Sequence, residues 1–476
     1  MMQFSAKNKL WLLGLLSAAI YGVNFHIGDL LVHVRIIQFL PQPISLYLIQ
    51  IVPLGLIYLC AIWLPPRMEE NSKNLALILL FALLFRLPLI PLDSALSSDI
   101  YRYVWEGKIQ ARAGINPYVH PPLDDRLVVL RDEKIYPFIN RKESPTVYPA
   151  GAQLLFALAH RAGVDTPQRL KSVALIADAL TVVLLLLILR QLQLPLSRVI
   201  IYAWNPLLIY ELFYSGHLES FMLPPLLGFI YLFLRGWLVG AGVALGLATA
   251  IKLVPAFLLA TLAPGKRLKV AIPLVFTVGF AYLFYASAGT RILGFLPTYF
   301  SDPNEIFNLG IFQLALLWIT RVLSFPALWI RFVLFAFLFA ILVVISRVRR
   351  TSPVDIIRGS YVVLSSYLLL IYPAFHPWYL CTLIPFLCVI PSRAWILFSL
   401  LLPLSYFKYL TADGTMPAWI TLAQFIPLYG LLIWEHSKSG IAFTQSHPAD
   451  RKTTLLNRNR KILSDNPTGD SPFLPS

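Results

Sequence analysis

Residues 97–150 read SSDIYRYVWEGKIQARAGINPYVHPPLDDRLVVLRDEKIYPFINRKESPTVYPA. The stretch is polar, charged and aromatic, and hydrophobic runs flank it on both sides. Most connections between elements are a few residues long, so one of this length and chemistry implies a function. Ser97 and Ser98 offer a helix N-cap, and Gly114 before Asn116-Pro117 offers a stop, which predicts a helix over 99–113. On that helix Asp99, Tyr103, Glu106 and Gln110 share a face, with Arg102 beside them. Asp99 stands in the first turn, just past a hydrophobic run. Its carboxylate either complements the positive end of the helix or meets a substrate at the membrane surface, and the spacing leaves both open.

Outward from this loop the chain is apolar. Of 476 residues 58% are hydrophobic and 13% are charged, with mean hydropathy +0.71. Soluble domains carry roughly 25% charged residues, so the composition excludes a soluble globular protein. The expected fold is an all-α polytopic membrane protein of about 12–14 spans of roughly 20 apolar residues. Residues 1–436 form the membrane domain, with 93–169 as a large first external loop bearing interfacial helices. The apolar run 148–162 is too short to cross and reads as one of those helices. Residues 437–476 read as a disordered cytoplasmic tail. A net charge of +16 would suggest nucleic acid in a soluble protein. Here the basic clusters Arg67–Lys73, Arg190–Arg198, Lys266–Lys269, Arg347–Arg350 and Arg393 fall between hydrophobic runs. Positive-inside topology explains them, with the bilayer and not nucleic acid as the partner. Cys60, Cys381 and Cys388 lie in apolar runs without metal-ligand spacing. No phosphate-cradling glycine motif is present, which favours a lipid-linked substrate over a soluble nucleotide.

Other polar residues interrupt the apolar runs. Lys252, in GLATAIKLVP, carries a charge that costs roughly 2.5–3.5 kcal/mol at mid-bilayer. It either binds an anion such as a lipid phosphate or pairs with Asp178 or Glu211, and Pro255 lets the helix break nearby. Asp178 reads as a structural partner. His217, in YSGHLES beside Glu219, is either structural or a substrate contact. Phe375-His376-Pro377-Trp378-Tyr379 reads as an external turn. Its aromatics form an interfacial belt or stack on a sugar or isoprenoid, and His376 is able to donate to a phosphate oxygen. Arg86 adds positive charge on the same side, and Asn304, Glu305 and Asn308 are weaker candidates.

The string SSDIYRYVWEGKIQARAGINPYVHPP, followed by TVYPAGAQLLFAL, resembles the first external loop of integral-membrane glycosyltransferases of the C superfold (GT-C). Within these it is most similar to bacterial polyprenyl-phosphate-dependent mannosyltransferases. SGHLES, GLATAIKLVP and FHPWYL resemble that group's later segments in the same order. The resemblance implies an inverting transfer of mannose from a polyprenyl-phosphate donor to a glycan, glycolipid or protein hydroxyl, at the periplasmic face of the inner membrane. Asp99 would be the general base. Lys252, Arg102 and His376 would hold the donor phosphate, and Tyr103, Glu106, His217, Glu219, Trp378 and Tyr379 would line the substrate site. No cofactor or metal ligand set is indicated, although the superfold sometimes uses a divalent ion. The superfold often pairs two acidic residues in this loop. Here Ser98 precedes Asp99, which leaves Glu106 or Glu219 as the assistant if one is needed. A lipid or solute transporter and a lipid-linked glycan polymerase or ligase are the competing functions. The mechanism requires Asp99 and Lys252 to open into one cleft reachable from lipid.

Overall fold

The computed structural model describes residues 5–33, 42–65, 70–299, 306–326, 328–348, 352–371 and 374–439. Asn304, Glu305 and the segment 440–476 lie outside them, so the expectations for those residues are not addressed. The long helices α1 (Ala6–His33), α2 (Gln42–Ile62) and α3 (Ser72–Arg86) lead to the loop. The loop carries α4 (Asp99–Ala113) and α5 (Ala150–Arg161), and α6 (Pro167–Gln191) leaves it. Next come the short α7 (Ile200–Ala203) and α8 (Pro206–Ile209), then α9 (Glu219–Leu234), α10 (Leu238–Ile251) and α11 (Pro264–Leu283). After α12 (Leu296–Tyr299) and α13 (Ile311–Val322) come α14 (Leu328–Arg347), α15 (Val354–Leu370), α16 (Ile384–Leu387), α17 (Arg393–Leu401) and α18 (Ala418–Ser439). The protein is all-α and polytopic. Among the described residues the only β pairing is an isolated bridge between Phe307 and Ala374.

Five helices among the described residues are long and apolar enough to cross a bilayer, or seven if two bent pairs each count as one crossing. Most of the other expected spans are present as helices that are short, bent or broken. Proline explains much of this, because it lacks an N–H and clashes with the preceding turn. Pro206, Pro255, Pro377 and Pro403 each sit at the start of a short helical segment.

The basic connections gather at one end of the bundle. Leu196 N–H donates to the Glu70 carboxylate, Gln191 reaches the Leu234 carbonyl, and Arg267 reaches the Ser346 carbonyl. Arg198 meets the Val389 carbonyl, and the Arg393 N–H meets Glu435. The loop gathers at the other end. There Gln168 donates to Asp93, Lys171 donates to the Leu92 carbonyl, and Phe295 N–H donates to the Thr146 carbonyl.

The loop has a packed core of its own. α4 spans the expected residues and ends at Gly114, whose φ of 63° lets the chain reverse. α5 is the expected short helix. It lies so close to α4 that a Cβ on Gly107 would sit 2.4 Å from the Phe156 carbonyl oxygen, so only glycine fits there. Tyr103 stacks on Phe156 with centroids 4.8 Å apart, and Ile100, Trp105 and Ile109 complete the core.

Candidate active site

Asp99 and Lys252 open into the same cavity, of about 900 Å³. α4 delivers Asp99 from its first turn, with a side chain 20% exposed. Asn140 donates to Asp99 Oδ1 at 2.8 Å, which leaves Oδ2 on the side of His217. Lys252 is delivered by the end of α10. The helix stops at Ile251, Lys252 turns extended (φ −150°, ψ 132°), and Pro255 begins the next short helix. The lysine ammonium pairs with Glu219 and sits 4.5 Å from the Tyr379 ring centre. Neither partner expected from sequence is the real one. Asp178 is taken by Arg86 at 2.8 Å and by the Tyr202 hydroxyl at 2.5 Å. That structural pairing also corrects the expectation for Arg86, which is buried and adds no charge to the site. Glu211 faces His217 and Tyr406.

Three more cations line the cavity beyond those read from sequence: Arg141, Arg331 and Lys408. Arg141 has φ 46°, an uncommon conformation for a residue with a side chain. Its guanidinium lies over Phe295 and Tyr299. Lys408 donates to the Ile306 carbonyl and lies over Phe307. Their spacing carries no motif. Arg141 could have been suspected from its loop, whereas Lys408 lies in a tyrosine-rich apolar run that reads as a span.

One flank of the cavity is apolar. Phe257, Leu334, Phe335 and Leu338 line it, and Phe335 is exposed. Only 22% of α14's apolar window is buried inside the protein, so the remainder faces hydrocarbon in a membrane. The cavity therefore joins a polar, cationic head to a greasy wall beside lipid.

Arg102 has a role in the loop beyond the one expected. It is buried, and its guanidinium donates to Glu106 Oε1 at 2.6 Å and to the carbonyls of Asn140, Arg141 and Ser144. These contacts clamp the loop, and the residue also lines the cavity. Glu106 is removed from the substrate. It accepts from Arg102, Thr146 and Gln153 and lies behind the cavity wall. Tyr103 does line the cavity. Burial, then the neighbouring Tyr148 and Asp99, pushes its phenol pKa up, out of acid–base use. Asn308 is buried in a left-handed turn (φ 48°) away from the cavity lining.

The aromatic turn forms part of a ring column. His217 stacks on Trp378 with centroids 3.9 Å apart, Trp378 on His376 at 4.3 Å, and His376 on Phe307 at 4.6 Å. Trp378 and Tyr379 line the cavity, whereas His217 is 1% exposed and lies behind it. Burial, with the His217 and Lys252 charges adding to it, holds His376 down at about 3. His376 is thus neutral at physiological pH and offers a neutral N–H, not a cation. Among the described residues no three His, Cys, Asp or Glu side chains are grouped to hold a metal ion.

No curated protein and no solved structure matches the chain. The family model for the alpha-(1->6)-mannopyranosyltransferase N-terminal domain, the MptA/B family, does match it, over residues 11–264. The matched segment holds Asp99, His217, Glu219 and Lys252, and ends before the aromatic turn and Lys408. Because that segment is more than half of the chain, the protein belongs to the alpha-(1->6)-mannopyranosyltransferase family, glycosyltransferases that act with mannose.

Proposed function

We propose that the protein transfers mannose from a polyprenyl-phosphate carrier to a glycan, glycolipid or protein hydroxyl, with inversion, using Asp99 as general base. The observation that carries this reading is the shared cavity: a carboxylate and several cations at one end, and an apolar flank beside lipid along α14. A polyprenyl phosphate has the matching chemistry, an anionic head on a long hydrocarbon. Lys252, Lys408 and Arg141 hold the phosphate, helped by the neutral N–H of His376. Trp378 and Tyr379 offer ring faces to the sugar.

In the reaction the acceptor O–H gives its proton to Asp99 while its oxygen attacks the anomeric carbon. The bond from that carbon to the phosphate oxygen breaks, and the electron pair leaves with the phosphate. The cations stabilise this developing charge. One displacement inverts the centre; retention by a covalent route would need a second carboxylate as nucleophile. The family's α-(1→6) product then implies a β-linked mannosyl phosphate donor and a primary sugar hydroxyl as acceptor. The positive-inside rule assigns the basic end to the cytoplasm. The cavity accordingly opens on the periplasmic side of a bacterial inner membrane.

The test is Asp99→Asn in folded, purified protein, assayed for mannose transfer from the polyprenyl-phosphate donor. A loss of about 10²–10⁴-fold in turnover is expected. Near-normal turnover would remove Asp99 as the base.

A further inference from the structure

Loop residues 138–141 run past Asp99 and give its two sides different surroundings. Asn140 donates to Asp99 Oδ1 at 2.8 Å. Arg102 fixes this segment on α4 by donating to the Asn140 and Arg141 carbonyls at 3.1 and 2.9 Å. On one side, Arg141 lies over Phe295 and Tyr299. The Tyr299 hydroxyl meets that of Tyr379 at 3.5 Å, and the Lys252 ammonium lies over the Tyr379 ring. That chain of contacts marks the side of the donor phosphate. On the other side, Phe138 packs on Tyr101 with ring centres 5.1 Å apart. Tyr101 stands two residues past Asp99 on α4, and Phe138 stands two residues before Asn140. The aromatic pair is therefore the neighbour of the Asp99–Asn140 pair.

Phe138 lines the cavity and is 54% exposed. Its neighbour Ile139 is buried and anchors the segment in the core of the loop. Pro137 lies in the tight turn Tyr136–Phe138, which the Phe138 N–H closes on the Ile135 carbonyl. Tyr101 covers one face of the Phe138 ring and leaves the other open. A single exposed apolar side chain needs no explanation by itself. This one is backed by a second aromatic ring, and Ser98, Asp99 and Asn140 line the same cavity beside it. The Ser98 hydroxyl makes no capping bond to α4. A ring face bordered by a hydroxyl, a carboxylate and an amide suits a pyranose, which has an apolar C–H face and a rim of hydroxyls. A hydrocarbon chain has its own wall along Phe257 and Leu334.

We propose that Phe138, backed by Tyr101 and bordered by Ser98, is the platform on which the acceptor docks, and that the acceptor is a carbohydrate ring and not a protein side chain. This rests on the mannose transfer proposed above. In an inverting displacement the attacking oxygen and the leaving oxygen lie on opposite faces of the sugar ring. A phosphate held on the side of Lys252 and Arg141 requires the acceptor hydroxyl to enter from the side of Phe138. The C–H face of the acceptor stacks on Phe138, Ser98 bonds one ring hydroxyl, and the primary hydroxyl extends to Asp99. Phe138 touches the acceptor away from the bond that forms. Its contribution is thus to binding, equal in the ground state and the transition state.

The probe is α-(1→6)-linked mannobiose, a soluble disaccharide with a primary hydroxyl, offered to the full-length protein in lipid nanodiscs. Phe138→Ala is expected to raise the KM for mannobiose about tenfold, with kcat and the donor KM held within about twofold. Ser98→Ala should raise the same KM about threefold, as for the loss of one hydrogen bond. Phe138→Trp keeps a ring face and should keep the parent KM. A second measurement needs no turnover: NMR saturation transfer from the protein to mannobiose. The signal is expected in the parent and in Phe138→Trp, and is expected to be lost in Phe138→Ala. An acceptor KM and a saturation transfer that are both unchanged in Phe138→Ala would overturn the platform. So would a rise in the donor KM alone, or transfer to a polypeptide and not to mannobiose. If the parent binds mannobiose through Phe138 and transfers no mannose, the proposed function fails and the sugar site stands. If it transfers mannose and Phe138→Ala does so equally well at low acceptor concentration, the function stands and the platform falls.

Discussion

Two parts of one helix, α4, have opposite fates. Arg102, Glu106 and Gln110 run along the helix into a closed network. Gln153 bridges Glu106 and Gln110, Thr146 joins Glu106, and the Tyr285 hydroxyl caps Gln110 at 2.6 Å. Asp99, at the start of the same helix, is left with one amide donor and a distant imidazole. The closed row fastens the loop to itself. The open end faces a cavity with unspent electrostatic capacity. In a membrane protein rich in buried charge, the useful signal is therefore how completely a polar group is satisfied.

The first way to break this comparison is to exchange the effects at the two positions. Asp99→Asn should cost about 10²–10⁴ in turnover with the melting temperature in detergent unchanged. The next largest effect is expected at Arg102. Arg102→Gln strands the buried Glu106 and releases three loop carbonyls. Removing one partner of a buried pair costs about 3–5 kcal/mol, so a large drop in melting temperature and accelerated proteolysis within 121–145 are expected. Activity should fall only with the folded fraction. If Arg102→Gln kept its stability and lost donor affinity, the phosphate role first expected for it would be restored.

The helical loop was legible in the sequence because its stop signals are local. Gly114 and Asn116-Pro117 end α4 whatever the tertiary structure does. The spacing of residues 99–110 also put Glu106 and Gln110 on the face of Asp99, and there local pattern ran out. Whether a side chain faces a cavity or a neighbouring glutamine depends on α5, whose Gln153 lies far along the chain. Asp99 and Lys252 were readable because a charge at the edge of an apolar run needs a reason. Lys408 was not, since an isolated lysine near the end of an apolar run snorkels to the interface in many spans. Pairing was the least legible feature. Arg86 with Asp178, and Lys252 with Glu219, are choices made by helix packing. The lengths of the apolar runs indicated passage through the bundle but not the breaks within it, because proline's effect depends on which neighbours satisfy the freed carbonyls.

The open end of the comparison is sharpened by its cations. Lys408→Gln and Lys252→Gln should each raise the donor KM by about tenfold, the equivalent of about 1.4 kcal/mol, and the double variant by more than either. Lys252→Gln should also destabilise modestly, because it leaves Glu219 buried without its cation. Lys408→Gln should not, since it contacts a carbonyl and a ring face. Titrating a non-transferable polyprenyl phosphate against each variant checks the order. An unaltered affinity in Lys408→Gln would return the phosphate to Lys252 and Arg141.

The smallest effect concerns His376, in the turn after α15. Its pKa is held near 3 by burial, with like charges adding to it, against an ordinary histidine value of about 6.5. The folded protein therefore stays unprotonated there while the unfolded chain takes up a proton below about 6.5. The unfolded state binds more protons in that window, so the stability tied to neutral His376 is fully present above pH 6.5 and declines as pH falls toward 3. A slope of at most about 1.4 kcal/mol per pH unit follows, and the cavity-facing side of the ring reduces it. His376→Phe keeps the ring column between Trp378 and Phe307 and removes the titration. Its melting temperature should accordingly fall less than that of the parent protein between pH 6.5 and 5, by a few degrees. Parallel curves for the two proteins would mean that His376 is already charged in the fold, and its place on the donor phosphate would then be that of a cation.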